Sequence, residues 1–208
     1  MKDKFKATLD VNNITVLDDF VKPDECREML FELEFCYWES SAVIHRAYHG
    51  LETKVNKSFR SSTTADQEWF GTRLSELISR IERRLRSRLS ADPSRFEHWQ
   101  ATRYGRGDRF EYHLDCGFWE GSNAGERTAT YLLYLDTPAR GGGTHFRALD
   151  RIVEARAGRL LAWNNLLPHG GCNGAMIHSG LEVEKGRKTT LVTWEREKRT
   201  RKGVISDI

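Results

Sequence analysis

Apolar residues recur at intervals of three and four along the segment from Asp66 to Leu89. This spacing puts them on one face of a helix, so it predicts a long amphipathic helix that packs on a core. A shorter helix is predicted from Lys22 to about Glu34, because a proline and two acidic residues stand in its first turn. The first half of the chain is therefore predicted to contain two helices.

Beyond Pro93 the pattern changes to short runs rich in β-branched and aromatic residues, separated by glycine. The runs that we interpret as strands are Phe96 to Tyr104, Arg109 to Asp115, Arg127 to Leu135, Thr144 to Phe146, Arg159 to Trp163 and Lys188 to Arg196. In the first half, strands are predicted at 14–17 and from Trp38 to Tyr48, with a polar connection through 59–62. Helices followed by strands indicate an α+β, mainly β fold, with a double-stranded β-helix (jelly roll, cupin-like) core buttressed by N-terminal helices.

The length of 208 residues suits one domain with a real core and is too short for two ordinary ones. We expect a single domain over residues 1–208. Its predicted parts are N-terminal strands and supporting helices over 1–92, a jelly-roll catalytic core over 93–198 and a basic tail over 199–208.

The charge balance of 33 basic and 30 acidic residues leaves a formal net charge of +3, too small to imply a polyanionic partner. Two basic runs, Arg80 to Arg88 and Arg196 to Lys202, are interpreted as solvated surfaces and not as nucleic-acid contacts. No stretch approaches the roughly 20 apolar residues of a membrane span, and Met1 to Asp10 is charged where a signal peptide is apolar. We therefore expect a cytoplasmic protein with neither nucleic-acid nor membrane partners.

The four cysteines are widely spaced and form no CxxC pair; they are Cys26, Cys36, Cys116 and Cys172. This arrangement favours reduced thiols in a reducing compartment over a disulfide framework or a zinc site.

A metal site is suggested by His113-Leu114-Asp115, which lies in a predicted strand where alternate side chains share a face. By itself such a triplet is more often a surface ion pair or a core group. A second histidine from a distant strand would complete a two-histidine, one-carboxylate set that suits iron(II) and leaves positions open. Of the two downstream histidines, His178 is favoured over His169 because Lys188 follows it on the next β-run.

The segment from Tyr104 to Arg196 resembles the catalytic core of prolyl 4-hydroxylases. The similar stretches follow that family's order and approximate spacing: YGRGDRFEYHLD, RTATYLLYLD, GGGTHF, ARAGRLLAWNN and HSGLEVEKGRKTTLVTWER. The resemblance extends more thinly to ITVLDDFVKPDECREML and FRSST in the first half. It implies a dioxygenase that uses Fe(II), 2-oxoglutarate and O2, with ascorbate as an accessory ligand. Such an enzyme hydroxylates an unactivated C–H bond and releases succinate and CO2.

The resemblance also implies roles for individual residues. The metal ligands and catalytic residues would be His113, Asp115 and His178. The cosubstrate site would be formed by Lys188, Tyr134, Tyr104 and Thr144. The substrate side of the cavity would be lined by Arg60 and Trp194.

The substrate is left open by two departures from the family pattern, Glu182 and Thr189, where the family commonly has proline and tryptophan. A prolyl residue or a related amino-acid-like substrate is favoured, and a free amino acid or natural product stays open. Oxidative demethylation and a noncatalytic jelly-roll binding module are less favoured alternatives. The oligomeric state is not predicted.

Overall fold

The structure is a computed structural model that describes residues 9–47, 50–119 and 121–201. Its helices are α1 (Pro23–Leu33) and α2 (Thr72–Leu89). The strands of the described ranges are β1 (Thr15–Leu17), β2 (Glu39–Ser40), β3 (Ala42–Ala47), β4 (Gly50–Val55), β5 (Thr63–Asp66), β6 (Gln100–Tyr104), β7 (Phe110–His113), β8 (Arg127–Tyr134), β9 (Arg140–Gly141), β10 (Thr144–Phe146), β11 (Arg151–Val153), β12 (Leu160–Asn164), β13 (His178–Gly180), β14 (Val183–Lys185) and β15 (Lys188–Arg196).

Two antiparallel sheets form the body of the domain. The larger has seven strands in the order β1-β12-β8-β15-β6-β5-β2, and the smaller has four in the order β11-β10-β13-β7. Buried side chains from both sheets meet in one apolar cluster, which includes Tyr134 and Trp163 of the larger sheet and Phe146 of the smaller. The space between the sheets is therefore a closed apolar interior, and its rim is where a site can form.

Both helices pack on the outer face of the larger sheet. The predicted apolar positions of α2 are buried, from Leu74 through Ile81 to Leu89, and they share a core cluster with Leu133 and Leu191 of the central strands. The helices consequently support the strands from behind and leave the inner face of the sheet free for other contacts.

The predicted start of the long helix at Asp66 was wrong, because α2 begins at Thr72. Asp66 instead ends β5, and its carboxylate accepts a hydrogen bond from the backbone N–H of Glu68 in a short 3-10 turn. A side chain that bonds its own backbone in this way competes with helix formation.

The strand predictions for 144–146 and 188–196 are confirmed at both ends. The segment from Trp38 to Tyr48 is not one strand, because β2 ends at Ser40 and β3 begins at Ala42, while Tyr48 lies outside the described residues. Strands that were not predicted include β4, which pairs with β3 as a two-stranded ribbon, and β5. β4 does alternate Leu51, Thr53 and Val55 with charged residues, a pattern that was overlooked, whereas the polar sequence of β5 carries no such alternation.

The prediction that all four cysteines are reduced was wrong for one pair. Cys116 and Cys172 form a disulfide across 56 residues of sequence, whereas Cys26 and Cys36 are free thiols. Spacing along the chain could not indicate this bond, because its two halves meet only through the fold.

The start of the predicted tail is packed on the domain, since Arg201 forms an ion pair with Glu82 of α2 at 2.7 Å. Residues 202–208 lie outside the described ranges. Among the helices of the described chain, neither has the length and apolar character needed to cross a membrane.

Candidate metal and cosubstrate site

The three predicted metal ligands converge at one end of the smaller sheet. His113 is the last residue of β7, and it pairs in register with His178, the first residue of β13. Asp115 brings its carboxylate to the same place, and one ligand atom from each residue lies within 4.8 Å of the others. The predicted preference for His178 over His169 agrees with this geometry, because His169 lies in an exposed loop.

Asp115 reaches the cluster by a different route from the one predicted. It was expected inside the strand, but β7 ends at His113 and Asp115 stands in a bend two residues later. Its carboxylate oxygens lie 3.8 Å from Nε2 of His113 and 3.9 Å from Nε2 of His178.

Both imidazoles present Nε2 to the cluster. Nδ1–H of His113 donates to the carbonyl of Glu111 at 2.8 Å, and Nδ1–H of His178 donates to the carbonyl of Met176 at 2.9 Å. Such a second bond selects the tautomer and leaves the Nε2 lone pair for a metal. Burial lowers the pKa of His113 to about 3, helped by the nearby His178, so the ring is neutral at physiological pH.

Asp115 is held by a hydrogen-bond relay that the sequence analysis missed. The hydroxyl of Thr130 donates to Oδ2 of Asp115 at 2.7 Å, and Nδ2 of Asn165 donates to the same hydroxyl at 2.9 Å. Burial opposes ionisation of Asp115, but the adjacent histidines lower its pKa, so the acid is a carboxylate ligand. Thr130 was identifiable in principle, since strand alternation puts it on the same face as Tyr134.

Replacing Thr130 with valine is expected to weaken metal binding by roughly 10–100-fold, the usual cost of losing a group that orients a ligand. Valine keeps the volume and removes the hydroxyl that holds Asp115. The measurement is Mn2+ affinity by electron paramagnetic resonance titration. Thr130→Ser keeps the hydroxyl and should bind like the native chain, so equal weakening in both variants would refute the role assigned to the hydrogen bond.

Lys188 places a buried cation beside the cluster. It is only 2% exposed, it pairs in register with Tyr104, and its Nζ lies 4.1 Å from the centre of the Tyr104 ring. Burial lowers the pKa of Lys188, and within the described part of the chain no carboxylate comes within ion-pair distance of it. Gly180 leaves space at this ammonium, because a Cβ there would stand 3.3 Å from Nζ.

The remaining predicted cosubstrate residues line the same interior. The hydroxyls of Tyr134 and Thr144 are buried and share a hydrogen bond of 2.6 Å. Tyr134 lies opposite Thr190, which shares its strand face with Lys188, so both point between the sheets. Burial would raise the pKa of Tyr104, but the charges of Arg60 and Lys188 lower it below its ordinary value.

Arg60 and Trp194 are each one residue removed from a proposed metal ligand. The Arg60 guanidinium lies 4.6 Å from the centre of the Phe110 ring, which in turn stacks on His113 at 3.8 Å between ring centres. Trp194 pairs in register with Thr130, and its buried indole N–H has no hydrogen-bond partner in the described ranges. The structure thus connects Arg60 to His113 through Phe110, and it pairs Trp194 with Thr130, the residue that holds Asp115.

The donor set fits iron(II). Two imidazoles and one carboxylate are the ligands of the facial sites in which non-haem iron keeps open positions. A buried ammonium without a carboxylate partner fits a dicarboxylate such as 2-oxoglutarate, because either charge alone is costly to bury. The fold and this site define the class of a jelly-roll protein with a two-histidine, one-carboxylate metal centre.

Comparison with known proteins shows which family the sequence resembles. Residues 99–196 match the model of the 2OG-Fe(II) oxygenase superfamily. Prolyl 4-hydroxylase subunit alpha-1 of Gallus gallus is 30% identical over 165 residues, which cover 76% of this chain and 31% of that protein. The chain thus spans about a third of the length of this curated relative, and the predicted resemblance is confirmed.

Solved structures confirm the predicted jelly-roll fold. A viral collagen prolyl hydroxylase from Paramecium Bursaria Chlorella virus-1, solved as a 2OG complex, matches with a TM-score of 0.64 at 21% identity, covering 88% of this chain and 95% of that chain. A prolyl-4-hydroxylase from Pseudomonas putida matches with a TM-score of 0.58 at 17% identity, covering 89% and 92%. At these identities the likeness concerns the fold.

Proposed function

We propose that this chain hydroxylates a prolyl residue of a peptide, using Fe(II), 2-oxoglutarate and O2. The observation that carries the proposal is the meeting of His113, Asp115 and His178 within 4.8 Å, together with the buried ammonium of Lys188, which has no carboxylate partner among the described residues. A noncatalytic module would have no need to keep both the metal ligands and a buried cation, since a buried unpaired charge lowers stability.

The proposed ligands are Nε2 of both histidines and the carboxylate of Asp115. Bound iron(II) supplies oxidative chemistry, in which O2 and 2-oxoglutarate become succinate and CO2 and one oxygen atom is inserted into a substrate C–H bond. The protein positions the cosubstrate and the substrate and shields the site from water. Lys188 holds the distal carboxylate of 2-oxoglutarate by charge, and the hydroxyls of Tyr134 and Thr144 donate hydrogen bonds beside it.

The apolar wall of the site limits the access of water. The ring centres of Trp163 and Phe146 lie 4.8 Å and 5.5 Å from that of His178, and both side chains are fully buried. Excluding water strengthens the electrostatic contacts within a site and protects reactive states from side reactions.

A prolyl substrate is supported by the relatives, which are named for that activity. The two departures from the family pattern lie away from the site. Thr189 points to the opposite face of β15 from Lys188 because strand side chains alternate, and Glu182 is exposed. With the structure known, Glu182 and Thr189 are therefore weaker evidence against a prolyl substrate than they are in the sequence alone.

The proposal is tested by incubating the chain with Fe(II), 2-oxoglutarate and a proline-containing peptide, with a matched peptide that has alanine in place of proline. Succinate release and a mass gain of one oxygen on the first peptide alone are expected. Turnover with free proline or another small metabolite, and not with the peptide, would favour the metabolite alternative. Adding ascorbate to the same assay tests the predicted accessory role.

Replacing Arg60 with alanine is expected to raise KM for the peptide about tenfold, the effect of losing a charged hydrogen bond worth roughly 1.5 kcal/mol. The Arg60 guanidinium lies 4.6 Å from the centre of the Phe110 ring, which stacks on His113. KM for 2-oxoglutarate should change less, because Arg60 acts on Tyr104 through its charge. Arg109→Ala is the control, because Arg109 is exposed and paired with Glu111; a rise in peptide KM of the same size there would count against a specific role for Arg60.

A further inference from the structure

The disulfide stands directly beside the proposed metal site. Cys116 follows the ligand Asp115 in sequence, and its partner Cys172 belongs to a loop that is distant in sequence. The bond therefore ties the backbone of a metal ligand to a second segment of the chain.

The loop formed by residues 166–172, called the glycine loop below, is exposed at its tip. Its ends meet in an isolated bridge between Leu166 and Cys172, and Leu167 N–H donates to the carbonyl of Gly171 at 3.0 Å. Positions 168–171 are exposed. Below this bridge the loop is anchored by Asn165, whose N–H donates to the carbonyl of Thr128 at 2.8 Å.

The segment on the other side of the disulfide, described at residues 117–119 and 121–125, is held by Glu126 at its base and by Arg196, which donates to Ser122 and to the carbonyl of Gly125. The carboxylate of Glu126 accepts hydrogen bonds from the backbone N–H groups of Gly117 at 3.1 Å and Trp119 at 2.5 Å. The disulfide is the covalent link between this segment and the glycine loop. Without it, the two segments have no covalent link to each other and are held by non-covalent contacts, such as those of Arg196 with Ser122 and Gly125.

Two connections join Asp115 to the same part of the chain. One is the relay from its carboxylate through Thr130 to Asn165, and the other is the disulfide from Cys116 to Cys172. The relay orients the carboxylate, whereas the disulfide fixes the backbone that carries it. We propose that the Cys116–Cys172 disulfide is a redox switch of the metal site, which binds metal tightly when oxidised and weakly when reduced.

The reduction is a thiol–disulfide exchange with a dithiol reductant. Its thiolate attacks Cys172 Sγ, which is half-buried, because Cys116 is only 3% exposed. A mixed disulfide forms with Cys172, and Cys116 leaves as a thiolate that takes up a proton. The second thiol of the reductant then displaces Cys172, so two electrons and two protons reach the protein and the reductant becomes a disulfide.

This inference rests on the proposed metal ligands. Reduction of the disulfide affects the site through Asp115. The reduced chain keeps its sheets, its helices and the Thr130 hydrogen bond, but the bend that holds Asp115 loses its covalent attachment. Metal affinity should fall about tenfold, at the lower end of what loss of a supporting group costs. The predicted cytoplasmic address would expose the bond to thiol reductants, which makes its redox state adjustable.

The experiment uses the full chain, oxidised or reduced with a phosphine that is removed without air. Mn2+ affinity is measured by electron paramagnetic resonance, loop protection by limited proteolysis at 117–125 and 166–172, and folding by far-UV circular dichroism. Titration of the denatured oxidised chain should show two free thiols among its four cysteines. Cys172→Ser should behave like the reduced chain in both states, and Cys36→Ser, which removes a thiol outside the disulfide, like the native chain.

Reduction that weakens Mn2+ binding about tenfold, exposes both segments to protease and is reversed by reoxidation would support the switch. Unchanged affinity and protection would overturn it. Global unfolding on reduction would also overturn it, because the bond would then be a structural staple, as would four free thiols in the oxidised preparation. Absence of Mn2+ binding in both states would refute the metal ligands themselves, which separates that failure from failure of the switch.

Discussion

Replacing His178 with alanine should weaken metal binding by more than about 100-fold, since losing a ligand costs more than losing a group that orients one. Succinate release from 2-oxoglutarate should fall with it. His178 is the strand partner of His113, and both present Nε2 to Asp115. Mn2+ titration and a succinate assay measure the two effects, and circular dichroism checks that the chain remains folded.

The matched control is His169→Ala, because His169 is the other downstream histidine and lies in the exposed glycine loop. It should bind metal and release succinate like the native chain. If His169→Ala lost metal and His178→Ala did not, the site would have to be rebuilt around a different histidine. His113→Ala provides a second ligand variant in case His178→Ala is poorly folded.

Replacing Lys188 with methionine should change cosubstrate binding and stability in opposite directions. Loss of the ammonium removes a charged interaction worth roughly 2 kcal/mol, which corresponds to about a 30-fold higher KM for 2-oxoglutarate. In the cosubstrate-free chain the same cation is buried without a carboxylate partner among the described residues. Removing it should therefore raise the free energy of unfolding by about 1 kcal/mol.

Steady-state kinetics with varied 2-oxoglutarate and chemical denaturation of the free protein give the two readouts. Lys185→Met is the control, since Lys185 is exposed on the neighbouring β14, and it should alter neither. A Lys188→Met chain that is destabilised and keeps its KM would show that the ammonium supports the fold instead of the cosubstrate.

The chemistry of the site was predictable because it rests on residue type and order. The interval from His178 to Lys188 favoured His178 over His169 as the metal ligand before the structure was known. The strand over 188–196 was predictable for a related reason: it is long and bounded by clear signals. The three-residue strand that begins at His178 is too short to show a period, and it was not among the predicted strands.

What the sequence could not show depends on contacts between distant segments. Asp115 reaches the cluster through a bend, and Thr130 and Asn165 support it from two other strands or their ends. The link from Cys116 to Cys172 is of the same kind. Local periodicity contains no information on such pairings, whereas Asp66 was misassigned for a local reason, its own capping hydrogen bond.

The stack of Arg60, Phe110 and His113 has a consequence for how substrate preference can diverge. The Phe110 ring lies between the guanidinium and the imidazole, 4.6 Å from the first and 3.8 Å from the second. It acts as a spacer, so that a side chain of different size or charge at position 60 meets an aromatic face before it meets a ligand. The entrance can therefore be remodelled by mutation while the inner coordination geometry is inherited unchanged.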